Sequence, residues 1–474
     1  MGFTKYCMKN KILLICLEVK ETPRLYPAFG LMYIADALIK NGYEAKIIHD
    51  YASADVFKRI IEEAKDALIV CFTTKTSPRL KPISELSKIL KKENKNIIVW
   101  GGVHASLTAE DTIKNDFVDF VVIGEGELSM PKLADAVAKN KPYEKIKGIA
   151  YKKDGKAFIN EQSGFIKNLD EYSPRWELID LERYLGDEKE LVVIESRGCP
   201  SRCSYCYNVS FNKRIWRAHS VEFVVNMVNG LKKMHEIRSV AFYSDNFVVN
   251  KKRARDIVSE LNMPWSAEIR ADYFDEYFIM SLRGLKCKRL YIGAESGSDK
   301  VLGILKKDVK TSQVERAVKI ARENNIEVTC AFMTGIPGED EKDRNMTIDF
   351  IHRLVNEYKV DIDGPKFLNP YPGTEIYNEC IKKGWVAPKD TLEWARYSRM
   401  TYNLPFLSKK EIKKIKKYQR VIALLVYINS RRTLKNIFLP LKMLLDYRLD
   451  NKVTALPIEV YLLQFLLNVR RITR

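Results

Sequence analysis

Over the first third of the chain, apolar residues come in runs too short for anything but strands. Positions 12–17, 67–72, 96–100 and 117–123 are nearly continuous aliphatic or aromatic stretches, and 44–49 is a shorter mixed one. Between them, apolar residues recur at three- and four-residue spacing over 29–41, 55–64, 82–92, 109–115 and 129–139. Unbroken apolar strands separated by amphipathic helices predict a parallel sheet covered on both faces, because a strand buried on both sides has no polar face to alternate. Gly42 closes the first helix, where a left-handed residue is favoured. Residues 148–161 read as a hairpin around Asp154-Gly155, and a connector with Pro174 and Trp176 follows.

The alternation restarts at Leu191. Strands are expected at 191–194, 239–243, 265–270, 288–292, 327–332 and 361–368. Six such strand–helix units suit a partial parallel barrel, whose chemistry gathers where strands end. The expected α/β architecture is therefore an N-terminal Rossmann-like doubly wound parallel sheet (1–145) and a hairpin and connector (146–190). A partial (β/α)6 TIM-type barrel (191–400) and a basic amphipathic helical C-terminal domain (401–474) complete it.

The C-terminal part departs from this pattern. A helix is expected from Ser408, with Glu411 three residues on completing a capping box. Ile412, Ile415, Ile422 and Leu425 share one face, and seven basic residues against one acid fall between Ser408 and Arg420. Further apolar segments at 437–445 and 458–467 fall short of the roughly 18–20 residues of a membrane span.

Composition narrows the class. With 46% hydrophobic and 30% charged residues, the chain can bury real cores and is not disordered. The opening residues are polar and basic, and the apolar run behind them is only strand length, unlike a secretory leader. Nine scattered cysteines, an odd number, exclude a disulfide scaffold and fit a reducing, cytoplasmic setting. The net charge of +19 sits mostly in the tail, where 16 Lys/Arg less 4 Asp/Glu from Ser408 onward give +12 and leave +7 for the rest. That tail reads two ways. It is a peripheral contact with the inner face of an anionic membrane, or a helical cap over the barrel mouth with its cations on the wet face.

The chemistry is concentrated in one loop. Directly after the first barrel strand stand Cys199, Cys203 and Cys206, in the run Arg197-Gly198-Cys199-Pro200-Ser201-Arg202-Cys203-Ser204-Tyr205-Cys206-Tyr207. Three thiolates on one short loop can hold three corners of a 4Fe–4S cube. The fourth iron is then open to a small molecule, which is what reductive cleavage of S-adenosylmethionine requires. A zinc knuckle is the alternative, but zinc takes four ligands, usually from paired spacings. No second such pair occurs.

With these residues in view, positions 10 to about 400 resemble the cobalamin-binding radical SAM enzymes. The stretch Tyr26-Pro27-Ala28-Phe29-Gly30-Leu31-Met32-Tyr33-Ile34-Ala35, Gly101-Gly102-Val103-His104 and Ile123-Gly124-Glu125-Gly126-Glu127 are similar to that family's cobalamin domain. The cysteine loop, Asp245-Asn246-Phe247, Glu295-Ser296-Gly297, Gly335-Ile336-Pro337-Gly338 and Pro370-Tyr371-Pro372-Gly373-Thr374 are similar to its barrel. The resemblance implies that Cys199, Cys203 and Cys206 ligate the 4Fe–4S cluster. It implies that Tyr205, Asp245, Arg270, Glu295 and Ser296 contact S-adenosylmethionine. Tyr26, Pro27, Gly30, Thr73, Thr74, Gly101, Gly102, His104, Gly124, Glu125 and Gly126 would surround cobalamin. One departure stands out: the family's Asp-x-His-x-x-Gly position reads Leu17-Glu18-Val19-Lys20-Glu21-Thr22, without a histidine, as in many radical SAM relatives.

The implied activity is generation of a 5′-deoxyadenosyl radical and cobalamin-dependent methyl transfer to a weakly activated carbon. The cationic tail and the family analogy point to a lipid, isoprenoid or tetrapyrrole-like substrate. Radical cyclisation, oxidation or carbon–carbon coupling is the second reading. An external donor such as ferredoxin or flavodoxin would supply the electron. An RNA-modifying methylthiotransferase is disfavoured, because no aromatic-rich basic strand platform is present. Cys16 and Cys71 read as small core residues, Cys330 as a residue that could face the barrel cavity, and Cys7, Cys287 and Cys380 as lacking partners. His49, His219, His235 and His352 carry no assignment.

Overall fold

The computed structural model describes residues 10–453 apart from 21, 23, 283, 397–403 and 431–438. Cys7 and the apolar segment at 458–467 lie outside the described residues.

The first sheet has seven strands in the order β2-β1-β3-β4-β5-β6-β7. These are β1 (Lys11–Glu18), β2 (Glu44–Tyr51), β3 (Ile69–Thr73), β4 (Ile97–Gly101), β5 (Phe120–Val122), β6 (Ile149–Lys153) and β7 (Lys156–Ile159). The first five are parallel. The odd positions of β1, Leu13, Ile15 and Leu17, enter one core, and Ile12, Leu14 and Cys16 enter the other. Burial on both faces is why the run reads as unbroken. The hairpin set apart in the connector by the sequence instead continues this sheet, with β6 pairing antiparallel to β5. Its apolar face, Ile149 and Tyr151, completes the core that the short strand β5 cannot close alone.

A two-stranded ribbon and a six-stranded parallel sheet make up the second unit. The sheet order is β15-β14-β13-β12-β11-β8, so every strand lies beside its sequence neighbour in that sheet. The strands are β8 (Glu190–Val193), β11 (Ser239–Phe242), β12 (Trp265–Ile269), β13 (Cys287–Glu295), β14 (Glu327–Thr334) and β15 (Asp361–Phe367). The ribbon pairs β9 (Ser196–Arg197) with β10 (Arg217–Ala218), and the cysteine loop lies between them. Cys330 packs in the apolar shell with Val328 and Phe332, away from the barrel interior. Alternation along β14 dictates this, since it shares their face.

The tail helix Lys409–Ser430 packs on the edge strand β15 and on the helices Glu341–Tyr358 and Leu439–Asp450. Its apolar face, Tyr418, Val421, Ile422, Leu425 and Ile428, is buried in the barrel's outer core. The Gln419 side chain donates to the carbonyl of Pro365 in β15 at 2.6 Å, which protects an otherwise open sheet edge. The expected capping box is present: Ser408 N–H donates to Glu411 Oε2 (2.8 Å) and Glu411 N–H to Ser408 Oγ (3.2 Å). The helix thus flanks the barrel's edge rather than capping its mouth, and its apolar face is spent on that packing rather than left for a membrane. Among the described residues no helix is long and apolar enough to cross a membrane.

Candidate functional site

The cysteine loop is held from below. Gly198 has φ +84°, and a Cβ there would meet the carbonyl oxygen of Ile215 at 2.1 Å, so only glycine can make the turn. Its N–H donates to Asp245 Oδ2 at 2.9 Å, while Tyr207 Oη donates to Asp245 Oδ1 at 3.1 Å. Asp245, expected at S-adenosylmethionine, therefore braces the loop with both oxygens.

Cys199, Cys203 and Cys206 are free thiols, the first two buried and the third half-buried. Burial pushes the Cys206 thiol up to about 12, and Asp245, Cys203 and Cys199 add to it. Such thiols give up protons to a metal centre rather than to water. Zinc takes four ligands, whereas a cube takes one thiolate on each of three irons and leaves the fourth open. Three free thiols on one loop, one of them accepting from Arg270, are a donor set that fits the cluster.

Arg270, 6% exposed, reaches this loop from the end of β12. Its Nη1 donates to Cys203 Sγ at 3.2 Å, and its Nε and Nη2 grip Asp272 at 3.0 and 3.1 Å. Hydrogen bonds to cluster sulfurs are a lever on cluster potential. Beside it, Glu295 sits at φ +62°, where the pairing of β13 with β14 slips between Gly293 and Glu295. A bulge re-aims a side chain. Here it turns Glu295 Oε1 to accept from Tyr205 Oη (2.8 Å) and Lys307 Nζ (2.9 Å). Gly293 makes room, since a Cβ there would lie 2.5 Å from Glu295 Oε1 and 2.8 Å from Lys307 Nζ. Burial first, then the Glu295 carboxylate, keeps the Tyr205 phenol protonated. Ser296 is tied into its own loop, sharing a 3.1 Å hydrogen bond with Thr347 and accepting from Ser298 N–H. Lys307, 5% exposed, is the functional candidate that sequence reading missed. It hides in the run Lys306-Lys307-Asp308, which looks like a solvated charge patch.

Glu268 on β12 is a second missed residue. Burial, then Asp245, raises its carboxyl to about 7, while Lys75 from the first unit lowers it. Near this seam Tyr26 stacks on Tyr243, ring centroids 5.2 Å apart and planes 6° apart, and both are exposed.

The first sheet's strand ends form the other half. Gly102 has φ +89°, and a Cβ there would strike Thr74 O (2.7 Å), Thr74 N (2.9 Å) and Thr73 Oγ1 (3.0 Å). Thr74 Oγ1 donates to Gly101 O (2.8 Å) and accepts from Ala105 N–H (3.1 Å), which locks the ends of β3 and β4 together. Cβ positions at Gly30 and Gly124 are open, leaving bare backbone where a flat ligand can rest. That cradle fits a corrin. Gly126 instead faces Ile34, 2.8 Å from a Cβ, so it serves helix packing, and Pro27 is buried.

Two expected corrin neighbours are otherwise engaged. His104 is 1% exposed, its Nδ1 bonded to Thr76 Oγ1 at 2.9 Å and its ring edge-on to Trp394. Burial lowers its pKa to about 4, so it is a neutral imidazole. Glu125 accepts from Arg217 Nη1 (2.7 and 2.8 Å), Arg197 Nη1 (3.2 Å) and Ile166 N–H (2.7 Å). Glu127 takes Arg197 Nη2 at 2.7 Å. Together these carboxylates rivet the first sheet to the ribbon that carries the cysteine loop.

Residues 193–351 match the Radical SAM superfamily, and residues 19–134 match the B12 binding domain. An uncharacterized methyltransferase of Pyrococcus horikoshii is 32% identical over 428 residues, covering 87% of this chain and 90% of its own length. The anaerobic magnesium-protoporphyrin IX monomethyl ester cyclase of Synechocystis is 26% identical, covering 78% of this chain and 75% of its own. Among solved structures, the radical S-adenosylmethionine methyltransferase TsrM of Kitasatospora setae, with cobalamin and a 4Fe–4S cluster bound, superposes with TM-score 0.68 at 16% identity. It covers 88% of this chain and 89% of that one, a likeness of fold.

Proposed function

The chain belongs to the cobalamin-binding radical SAM family, enzymes that work with a 4Fe–4S cluster, S-adenosylmethionine and cobalamin, and from that premise we propose that it methylates a weakly activated carbon of a flat or extended apolar substrate, of lipid, isoprenoid or tetrapyrrole-like class. When bound, the cluster delivers the electron that cleaves S-adenosylmethionine, and cobalamin carries the methyl group. The protein's part is to hold, aim and exclude water. Cys199, Cys203 and Cys206 would hold the cluster, Arg270 would keep its hydrogen bond to the Cys203 sulfur, and the Tyr205–Glu295–Lys307 triad would face S-adenosylmethionine. Asp245 positions the loop without touching the reacting atoms. Gly30, Thr73, Thr74, Gly101, Gly102 and Gly124 form the corrin shelf.

The observation that carries this reading is the juxtaposition across one seam: a three-cysteine loop riveted through Arg197 and Arg217 to the glycine-lined ends of the first sheet. The exposed Tyr26–Tyr243 stack supports an aromatic or apolar substrate, since ring faces favour such contacts. The methyltransferase description of the P. horikoshii relative supports transfer, and the Synechocystis cyclase supports cyclisation on a tetrapyrrole as the second reading.

The test is anaerobic incubation of the reconstituted enzyme with S-adenosylmethionine, hydroxocobalamin and a reductant, read by mass spectrometry. Formation of both 5′-deoxyadenosine and S-adenosylhomocysteine is expected. Deoxyadenosine alone would replace methyl transfer with the cyclase or oxidase reading.

A further inference from the structure

A second cluster of ligating groups lies away from the cysteine loop, in the first sheet. Cys16 and Glu18 are two residues apart on β1 and share a face. His49 on β2 lies directly opposite Cys16 in the parallel register. One thiol sulfur, one carboxylate oxygen and one ring nitrogen are thereby brought within 4.8 Å of one another, and all three residues are at most 5% exposed.

The hydrogen bonding around this trio leaves one buried ring nitrogen without a partner. His49 Nδ1 is bonded to Tyr184 Oη at 3.0 Å, yet its Nε2 is buried with no hydrogen-bond partner. Glu18 Oε2 accepts from Thr22 Oγ1 (3.0 Å) and Arg79 Nε (2.8 Å), while its Oε1 faces His49 Nε2 at 3.7 Å, too far for a hydrogen bond. Cys16 is a free thiol. A buried polar atom without a partner costs free energy that native structures rarely leave unrecovered. Two of the three ligands are also oriented from behind, the histidine by a tyrosine and the carboxylate by an arginine and a threonine, as metal ligands are.

We propose that Cys16, Glu18 and His49 form a binding site for one divalent transition-metal ion of the zinc class. The donor set decides the class. A thiolate and an imidazole select zinc-like ions over calcium or magnesium, which take oxygen. The thiolate and the carboxylate, the latter shared with Arg79, oppose the ion's charge. Three protein ligands leave a fourth corner for a non-protein ligand. The ion would clamp edge strand β2 to β1 at the root of the loop that leads to Tyr26.

The experiment uses the enzyme reconstituted with iron, sulfide and cobalamin, so that the cysteine loop is occupied. It is exposed to zinc sulfate, desalted, and measured for zinc and iron per chain and by zinc-edge X-ray absorption. About one zinc per chain, bound through one sulfur and otherwise nitrogen or oxygen, is expected. His49→Gln and the isosteric Glu18→Gln should each lose that zinc while retaining iron. Tyr184→Phe should weaken zinc binding by about 10–100-fold. Absence of zinc from the wild-type enzyme, zinc retained in both first-named variants, or a shell of three sulfurs would overturn the assignment.

Discussion

Gly293→Ala tests the site with a single methyl group. Gly293 does not have a positive φ, so alanine strains nothing in the backbone. The new Cβ would lie 2.5 Å from Glu295 Oε1 and 2.8 Å from Lys307 Nζ, both under the 3.0 Å that real Cβ atoms respect. Both obstructing atoms are ends of flexible side chains, so the fold survives and the triad gives way. Glu295 Oε1 is the shared acceptor for Tyr205 at 2.8 Å and Lys307 at 2.9 Å. Displacing it by about half an ångström or more stretches both bonds, and charged hydrogen bonds carry about 1.5–3 kcal/mol each. If the loss amounts to one such bond, cleavage of S-adenosylmethionine slows about 10–150-fold, at 1.36 kcal/mol per decade. The assay is the initial rate of 5′-deoxyadenosine formation under anaerobic conditions, beside iron content and thermal midpoint. A slow rate with iron and midpoint unchanged is expected. A wild-type rate would remove the triad from the site, and lost iron would make Gly293 a structural residue.

Alanine at Cys199, Cys203 or Cys206 should each lower bound iron and abolish deoxyadenosine formation, whereas Cys330→Ala, buried in the outer shell, should keep both. Glu125→Gln strips the carboxylate from buried Arg217 and should cost about 3–5 kcal/mol, read as a lower thermal midpoint. His104 has a folded pKa near 4 against an ordinary 6.5, so the unfolded chain binds its proton first. Stability is thus full above pH 6.5 and falls by up to about 3 kcal/mol as pH drops towards 4, and His104→Asn should flatten the slope of midpoint against pH by about one proton. Leu425→Ala should destabilise by about 2–5 kcal/mol, and anionic liposomes should pellet the full chain and a truncation at Leu407 to the same extent.

The central strands of the first sheet, β1, β3, β4 and β5, were legible because their burial is two-sided and their apolar runs unbroken, whereas β14 of the barrel was legible by alternation. All six barrel strands fall where the run of Leu191, Val240, Trp265, Leu290, Val328 and Ile362 placed them. The cysteine loop was legible because three ligands fall within one turn of chain. What stayed hidden depends on contacts between distant segments. Lys307 is ordinary in its own neighbourhood and acquires meaning only when the β13 bulge turns Glu295 towards it. Glu125 stands in a glycine-rich strand exit that suggests a ligand, but Arg197 and Arg217 arrive from the ribbon and take it. Cys16 and His49 look like core residues until the parallel register sets them side by side. The tail's amphipathic face was readable, and its partner, the edge of β15, was not.

The charged rivet also bears on how substrate enters. Parting the two sheets would break three buried ion pairs at once, Glu125 with Arg197 and Arg217 and Glu127 with Arg197. Turnover does not require such a hinge if a cheaper opening exists, and the structure offers one. The Tyr26–Tyr243 stack bridges the same seam with both rings exposed, and separating an exposed aromatic pair costs only about 0.5–1.5 kcal/mol beyond its area. A flat apolar substrate can replace that contact with its own ring face, so the gate opens at little net expense. The two cofactor sites can then keep a fixed separation while the wall between them yields. Tyr243→Ala should on this logic raise KM for the substrate more than it lowers kcat, whereas loosening the rivet should lower kcat.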